Sequence, residues 1–107
     1  MSIEQPDVID VVADNPEANR ILLVISDHLD WSQELDHLMK LQDKLNTYLR
    51  FVEGGELAER FPSFVDPEVL IEVVGKYEQP ETARRFMMEA AKVVAGAGCT
   101  LSFRKFS

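Results

Sequence analysis

The residue types best suited to chemistry in this sequence cluster between positions 27 and 37. Imidazoles and carboxylates bind zinc or manganese, and they also transfer protons. The members of this cluster are Asp27, His28, Asp30, Trp31, Glu34 and His37. They follow the continuous apolar run 21–25, and α/β domains place ligands beyond the carboxyl ends of strands. One hypothesis is therefore a small enzyme or metal-binding domain that uses Asp27, His28, Asp30 and His37.

The spacing within this cluster also fits structural roles. His28 and His37 lie too far apart in the sequence to be the i, i+4 pair that places two ligands on one helix face. Asp30 followed by Gln33 matches a capping box at a helix start, and Trp31 fits a packing residue there. The structural interpretation carries more weight, so we expect no catalytic residue, no bound metal and no cofactor.

The rest of the sequence adds little that predicts catalysis. The single cysteine, Cys99, is expected to be a small buried side chain, because nothing places a histidine beside it to lower its pKa. The sequence has no glycine-rich phosphate loop, no cysteine pair for zinc and no serine nucleophile elbow. A non-enzymatic function is the stronger expectation.

The charge of the chain is concentrated in its first third. Residues 1–36 contain nine acidic side chains and one basic side chain, which accounts for the whole formal net charge of −8. Nucleic acids and anionic membranes are bound by clustered Lys and Arg, so neither is expected as a partner. The acidic third would attract a basic partner, and an acidic inhibitor or immunity-like protein is one alternative.

Length and composition predict one soluble domain spanning residues 1–107. A lone cysteine cannot form an intrachain disulfide, and the first residues lack the pattern of a secretory signal. The longest apolar run, residues 21–25, is too short to span a bilayer. We therefore expect a cytoplasmic protein.

Apolar periodicity predicts four strands and two main helices in the order ββαβαβ. The predicted strands cover residues 8–12, 21–25, 69–74 and 100–106, and a polar turn joins the first two as an antiparallel hairpin. One helix runs from Asp30 to Gly54, a short helical turn covers 56–60, and another helix runs from Pro80 to Gly98. The predicted fold is α/β (α+β), a two-layer sandwich with a four-stranded mixed sheet and two helices on one face. The strand order stays open.

A two-layer sandwich leaves one sheet face uncovered, and strand alternation predicts which residues lie there. Val8 is predicted to lie on this face. The residues predicted to form the interface there are Asp10, Val12, Leu22, Val24, Leu70, Glu72 and Val74. An apolar face of this kind usually has a partner. Our first hypothesis is a non-enzymatic interaction module that forms a homodimer or binds a protein partner through this face. The alternative is that the first seven residues or residues 56–67 fold across it.

Two carboxylates within such a face would need compensation. If Asp10 and Glu72 were neighbours on a buried face, one of them would hold a proton or meet a base.

Several stretches carry a resemblance to a known family. They are residues 5–10, residues 21–31, the helical segment Leu41-Gln42-Asp43-Lys44 and residues 71–77. Here the chain resembles a family of small bacterial proteins of about this length whose function is unknown. The resemblance runs along the full chain and is carried by apolar strands and caps. It implies a free-standing cytoplasmic domain and transfers no role to any residue.

Overall fold

The computed structural model describes residues 2–106, which form a four-stranded mixed sheet and three α-helices. In chain order the elements are β1 (Val11–Asn15), a 3-10 turn (Pro16–Ala18), β2 (Arg20–Asp27), α1 (Glu34–Glu53), α2 (Glu56–Arg60), β3 (Glu68–Gly75), α3 (Glu81–Gly96) and β4 (Cys99–Lys105). The α+β class and the mixed sheet predicted from the sequence are confirmed.

The strands lie side by side in their sequence order, β1-β2-β3-β4. β1 pairs antiparallel with β2, whereas β2, β3 and β4 are parallel. Both crossovers between parallel strands step in the same direction across the sheet. Because such crossovers are right-handed, α1 and α3 lie on the same face.

The core lies between that face and the helices. Alternate residues of β2 and β3 point into it, while the residues between them are half-buried on the other face. The strand side chains of the core are Ile21, Leu23, Ile25, Val69, Ile71 and Val73, and α1 contributes Leu41, Leu45, Tyr48 and Phe51. A strict alternation on two adjacent strands fixes the register, since a slip by one residue would turn the core side chains outward.

The first strand was predicted at residues 8–12 and is found at Val11–Asn15. The backbone of residues 8–10 bonds to α1 instead of β2. The carbonyl of Val8 accepts from Lys44 Nζ at 2.6 Å, and the amide of Asp10 donates to the Tyr48 hydroxyl at 2.8 Å. Local β propensity is therefore overridden by contacts with the helix.

The first helix begins later than predicted. Asp30 is not its N-cap: the Asp30 carboxylate accepts from the amide and hydroxyl of Ser32, and α1 starts at Glu34 after Gln33. Aspartate stabilises such a turn by bonding to backbone two residues ahead. The helix ends as expected at a glycine pair, where Gly55 has a φ of 89°.

No helix within residues 2–106 has the length and apolar character needed to cross a membrane.

Candidate functional site

Two members of the predicted cluster, Asp27 and His37, meet in a buried hydrogen-bonded pair at the carboxyl end of β2. His37 Nε2 lies 2.7 Å from Asp27 Oδ1 and 2.6 Å from Oδ2, and both side chains are 2% exposed. β2 supplies the carboxylate and the first turn of α1 supplies the imidazole. His37 Nδ1 lies 2.9 Å from the carbonyl oxygen of Asp30 in the connecting loop.

The hydrogen bonds define where protons sit on this pair. A carbonyl oxygen only accepts, so Nδ1 of His37 carries a hydrogen and donates it to Asp30. The contact between Nε2 and Asp27 then needs a second proton, held by one of the two groups. Burial raises the pKa of Asp27, partly offset by the hydrogen bond from His37. Without that proton, the lone pairs of Nε2 and the carboxylate would face each other.

Trp31 covers the imidazole of His37. The two rings stack with their centroids 3.6 Å apart and an interplanar angle of 15°. The tryptophan thus packs as expected from the sequence, on the histidine of the same cluster. The ring stack and the two hydrogen bonds fix the loop between β2 and α1.

This arrangement leaves His37 no nitrogen for another ligand. Both ring nitrogens are engaged and the side chain is almost fully buried. Among residues 2–106, no three His, Cys, Asp or Glu side chains are grouped so that they could hold a metal ion. Asp27 and His37 thus form a buried hydrogen-bonded pair that shares one proton between Nε2 and the carboxyl group.

The other cluster members point away from this pair. His28 is exposed, with Nε2 4.0 Å from a carboxylate oxygen of Glu4. Asp30 is exposed, and its hydrogen bonds with Ser32 hold its pKa below the usual range. Glu34 is the exposed first residue of α1. The structure therefore joins two of the four predicted residues and separates His28 from them.

A buried ion pair elsewhere in the fold was not expected from the sequence. Lys44 of α1 donates from Nζ to Asp10 Oδ1 at 2.7 Å, and both side chains are fully buried. Its ammonium also donates to the carbonyls of Gln5 and Val8, each at 2.6 Å. Three donors thus meet three acceptors, which is what burial of an ammonium group requires.

The same network reaches the end of β2. Asp10 Oδ2 accepts from the amide of Ser26 at 2.9 Å, and Ile3 donates its amide to the carbonyl of Ser26. Tyr48 accepts from the Asp10 amide and donates to the carbonyl of Val24. Residues 2–10, called the N-terminal segment below, are fastened in this way to both α1 and β2.

A sequence signal for this network did exist. Lys44 lies three residues after Leu41 and four before Tyr48, on the apolar side of α1. A lysine within an apolar helical face needs a buried acceptor. The position of that acceptor could not be derived, because it lies 34 residues away along the chain.

The predicted interface residues separate into two groups. Leu22, Val24, Leu70, Glu72 and Val74 lie on the sheet face opposite the helices, where each is half-buried. The β1 residues Val11 and Ala13 join them, since they pair with Val24 and Leu22 in register. These seven residues are called the open face below.

Asp10 and Val12 were wrongly placed on that face. Val12 pairs with the core residue Leu23, so its side chain points toward the helices. Asp10 precedes β1 and turns inward to Lys44. Both errors follow from the shift of β1 along the sequence, because side chains alternate between faces.

The two carboxylates predicted to interact are instead compensated separately. Asp10 meets Lys44 on the helix side of the sheet. Glu72 accepts from Arg104 Nε of β4 at 3.3 Å on the open face. The structure thus gives each carboxylate its own base.

Cys99 begins β4 and is buried, as expected. Burial raises the pKa of its thiol, and the nearby charge of Glu53 adds to the shift. The thiolate is the nucleophilic form, so a raised pKa makes Cys99 a weaker nucleophile at neutral pH.

Comparison with known protein families shows which family the chain belongs to. Residues 1–107 match a family described as a family of unknown function, DUF6572. The chain belongs to this family. No curated protein and no solved structure matched it.

Proposed function

We propose that this protein is a non-enzymatic interaction module that self-associates through the open face. The observation that carries the proposal is the row of apolar side chains on three adjacent strands, opposite the layer that holds all three helices. Val11 is 39% exposed, and Leu22, Val24, Leu70 and Val74 are half-buried. A contiguous apolar surface of this kind on a small protein is typical of an interface.

The charges on this side of the sheet favour a second copy of the chain as the partner. Arg20 pairs with Glu68 at one end of the sheet, and Arg104 pairs with Glu72 across β3 and β4. These two pairs leave that surface formally neutral, whereas the chain as a whole carries −8. A basic partner would be drawn to the acidic surfaces instead. Two copies can meet here without net repulsion.

The size of the sheet predicts a weak dimer. Four strands about 4.8 Å apart and about seven residues long cover roughly 19 by 23 Å. That footprint lies below the approximately 800 Å² that each partner buries in a standard stable interface. We therefore expect an association that depends on protein concentration.

Light scattering coupled to size-exclusion chromatography tests this proposal directly. With a chain mass of 12.2 kDa, the wild-type protein should move toward twice that mass as its concentration rises. An apolar interface should persist at high salt, because salt screens charges but not apolar burial. A monomer at every concentration and salt level contradicts the proposal.

Matched variants locate the interface. Val24→Glu puts a carboxylate in the centre of the open face and should yield a monomer. Val93→Glu makes the same change on α3, at a side chain 65% exposed on the helical layer, and should leave the dimer intact. Val11→Glu repeats the test at an exposed edge position, in case Val24→Glu disturbs folding. A dimer that survives both open-face substitutions would assign the interface elsewhere.

The setting we propose is the bacterial cytoplasm. Support comes from the single buried cysteine, which is compatible with a reducing compartment. The full-length resemblance to small bacterial proteins points the same way.

A further inference from the structure

A cleft opens at the end of the sheet where β2 and β3 begin. Its floor is formed by the core residues Ile21 and Val69, and its walls include Leu57, Phe61 and Phe64. Phe61 and Phe64 meet edge to face with their ring centroids 5.7 Å apart. The volume of about 380 Å³ falls within the range of small-molecule sites.

One charged side chain lines this cleft. Asp66 is exposed there, and no other residue in the lining is charged. Within residues 2–106, no side chain or backbone group forms an ion pair or hydrogen bond with its carboxylate. A groove of about 330 Å³ between α1 and α3 differs in this respect, because its carboxylate, Glu89, is paired with Lys92 at 3.3 Å. Asp66 therefore has free acceptor oxygens beside an apolar surface.

The C-terminal ends of two helices border the cleft. Val52 lies in the last turn of α1, and Ala97 and Gly98 follow the last turn of α3. The carbonyl groups at a helix C-terminus carry the negative end of the helix dipole and favour cations. No Lys or Arg is among the residues that line the cleft.

The position of Asp66 is set by the connection between β1 and β2. Asn19 donates from Nδ2 to the carbonyl of Val65 at 2.7 Å, and its own carbonyl accepts from Glu68. Asp66 has a φ of 45°, in the left-handed region. The bonds from Asn19 thus hold the loop that presents the carboxylate.

We propose that this cleft binds a small organic cation, an ammonium group on a short apolar chain. The apolar chain packs on Ile21, Val69 and the two phenylalanine rings, while the ammonium group donates to Asp66. This site lies at the end of the sheet and is independent of the open face. The proposed binding is non-covalent and transfers neither a proton nor an electron.

NMR titration of the wild-type protein with hexylammonium tests the proposal. Saturable shifts are expected at the amides of Ala58 and Gly98, which line the cleft. Hexanol and hexanoate serve as neutral and anionic probes of the same length. Hexylammonium should bind more tightly than hexanol, and hexanoate should not bind.

Two matched variants make the test specific. Asp66→Asn should weaken hexylammonium binding about fivefold, the order expected for one exposed pair of opposite charges. Glu59→Gln, an equivalent change on α2 outside the cleft, should not weaken it. Ala58→Leu, which fills the cleft from an exposed helix position, should abolish the shifts in a protein that still gives a folded spectrum.

Three results would overturn the proposal: no saturable shifts, equal binding of hexanol and hexylammonium, or unchanged affinity in Asp66→Asn. Nα-acetyl-lysine amide identifies the source of the cation. Tighter binding of this probe than of hexylammonium would assign the site to a lysine side chain of a protein, and weaker binding would assign it to a free amine.

Discussion

The carboxylate of Asp27 occupies a position where ionisation is costly. It is buried at the end of β2 beside His37, and burial raises the pKa of Asp27 by more than the hydrogen bond from His37 lowers it. A group that binds protons more strongly in the folded state stabilises the fold at low pH. That contribution is lost as the pH rises through the raised pKa.

The first prediction compares the wild-type protein with Asp27→Asn. Above pH 3.8, the ordinary pKa of this group, the free energy of unfolding of the wild type should fall relative to that of the variant. The amide of the variant retains an acceptor for His37 but cannot ionise. Urea denaturation between pH 3 and pH 7 measures the difference. A difference that is constant, or that grows with pH, would contradict the assignment.

Asp30→Asn provides a control of opposite sign on the same loop. The hydrogen bonds from Ser32 lower the pKa of Asp30. Its contribution to the stability of the fold is therefore present above pH 3.8 and is lost as the pH falls through the lowered pKa. The wild type should therefore gain stability relative to Asp30→Asn as the pH rises toward 3.8.

The second prediction concerns the fully buried ammonium of Lys44. Lys44→Met should lower the free energy of unfolding by about 3–5 kcal/mol, because it leaves the Asp10 carboxylate buried without its cation. Adding Asp10→Asn should recover part of the loss, since the stranded charge is removed. Chemical denaturation measures all three proteins.

Lys40→Met is the matched control, one helical turn earlier in α1. Lys40 pairs with Asp36 at the surface, where solvent screening makes such a pair contribute little to stability. If Lys44→Met were as mild as Lys40→Met, the buried pair would not be what fastens the N-terminal segment.

At the scale of elements, the end of β3 depends on a close approach to β4. A Cβ at Gly75 would lie 2.7 Å from Cε1 of Phe103, whereas a Cβ at Gly96 in α3 would meet no atom within 4 Å beyond the neighbouring backbone of its own helix. We expect Gly75→Ala to cost about 1–3 kcal/mol through overpacking. Gly96→Ala should instead stabilise the protein by about 0.5 kcal/mol. Thermal unfolding compares them, and a wild-type melting temperature for Gly75→Ala would show that Phe103 moves aside freely.

The elements were predictable where the apolar pattern was unambiguous. The uninterrupted run of β2 and the alternation along β4 located both strands within two residues at each end. The prediction placed β1 three residues too early. A run of β-branched residues indicates local strand propensity, but it does not show that residues 8–10 bond to α1 instead. The cluster of Asp27 and His37 could be found from residue types. The hydrogen-bond partner of each nitrogen of the His37 ring could not be predicted, because it depends on the folded positions of Asp27 and of the Asp30 carbonyl.

At the scale of the whole molecule, the class of fold follows from the order of elements, but the order of strands does not. Sequential β2-β3-β4 pairing places both crossovers on one face, and this leaves the other face without a helix. The cleft at Asp66 was also beyond sequence reasoning. It is built by α2, the loop before β3 and the end of α3, which are brought together only by the complete fold.

The fastening of the N-terminal segment constrains the order in which the chain can fold. Its hydrogen bonds to Ser26 and Thr47 close loops of 16 and 41 residues. Residues 3–10 are synthesised before Lys44 and Tyr48, the α1 residues to which they bind. The N-terminal segment therefore cannot form its native contacts until α1 has been synthesised.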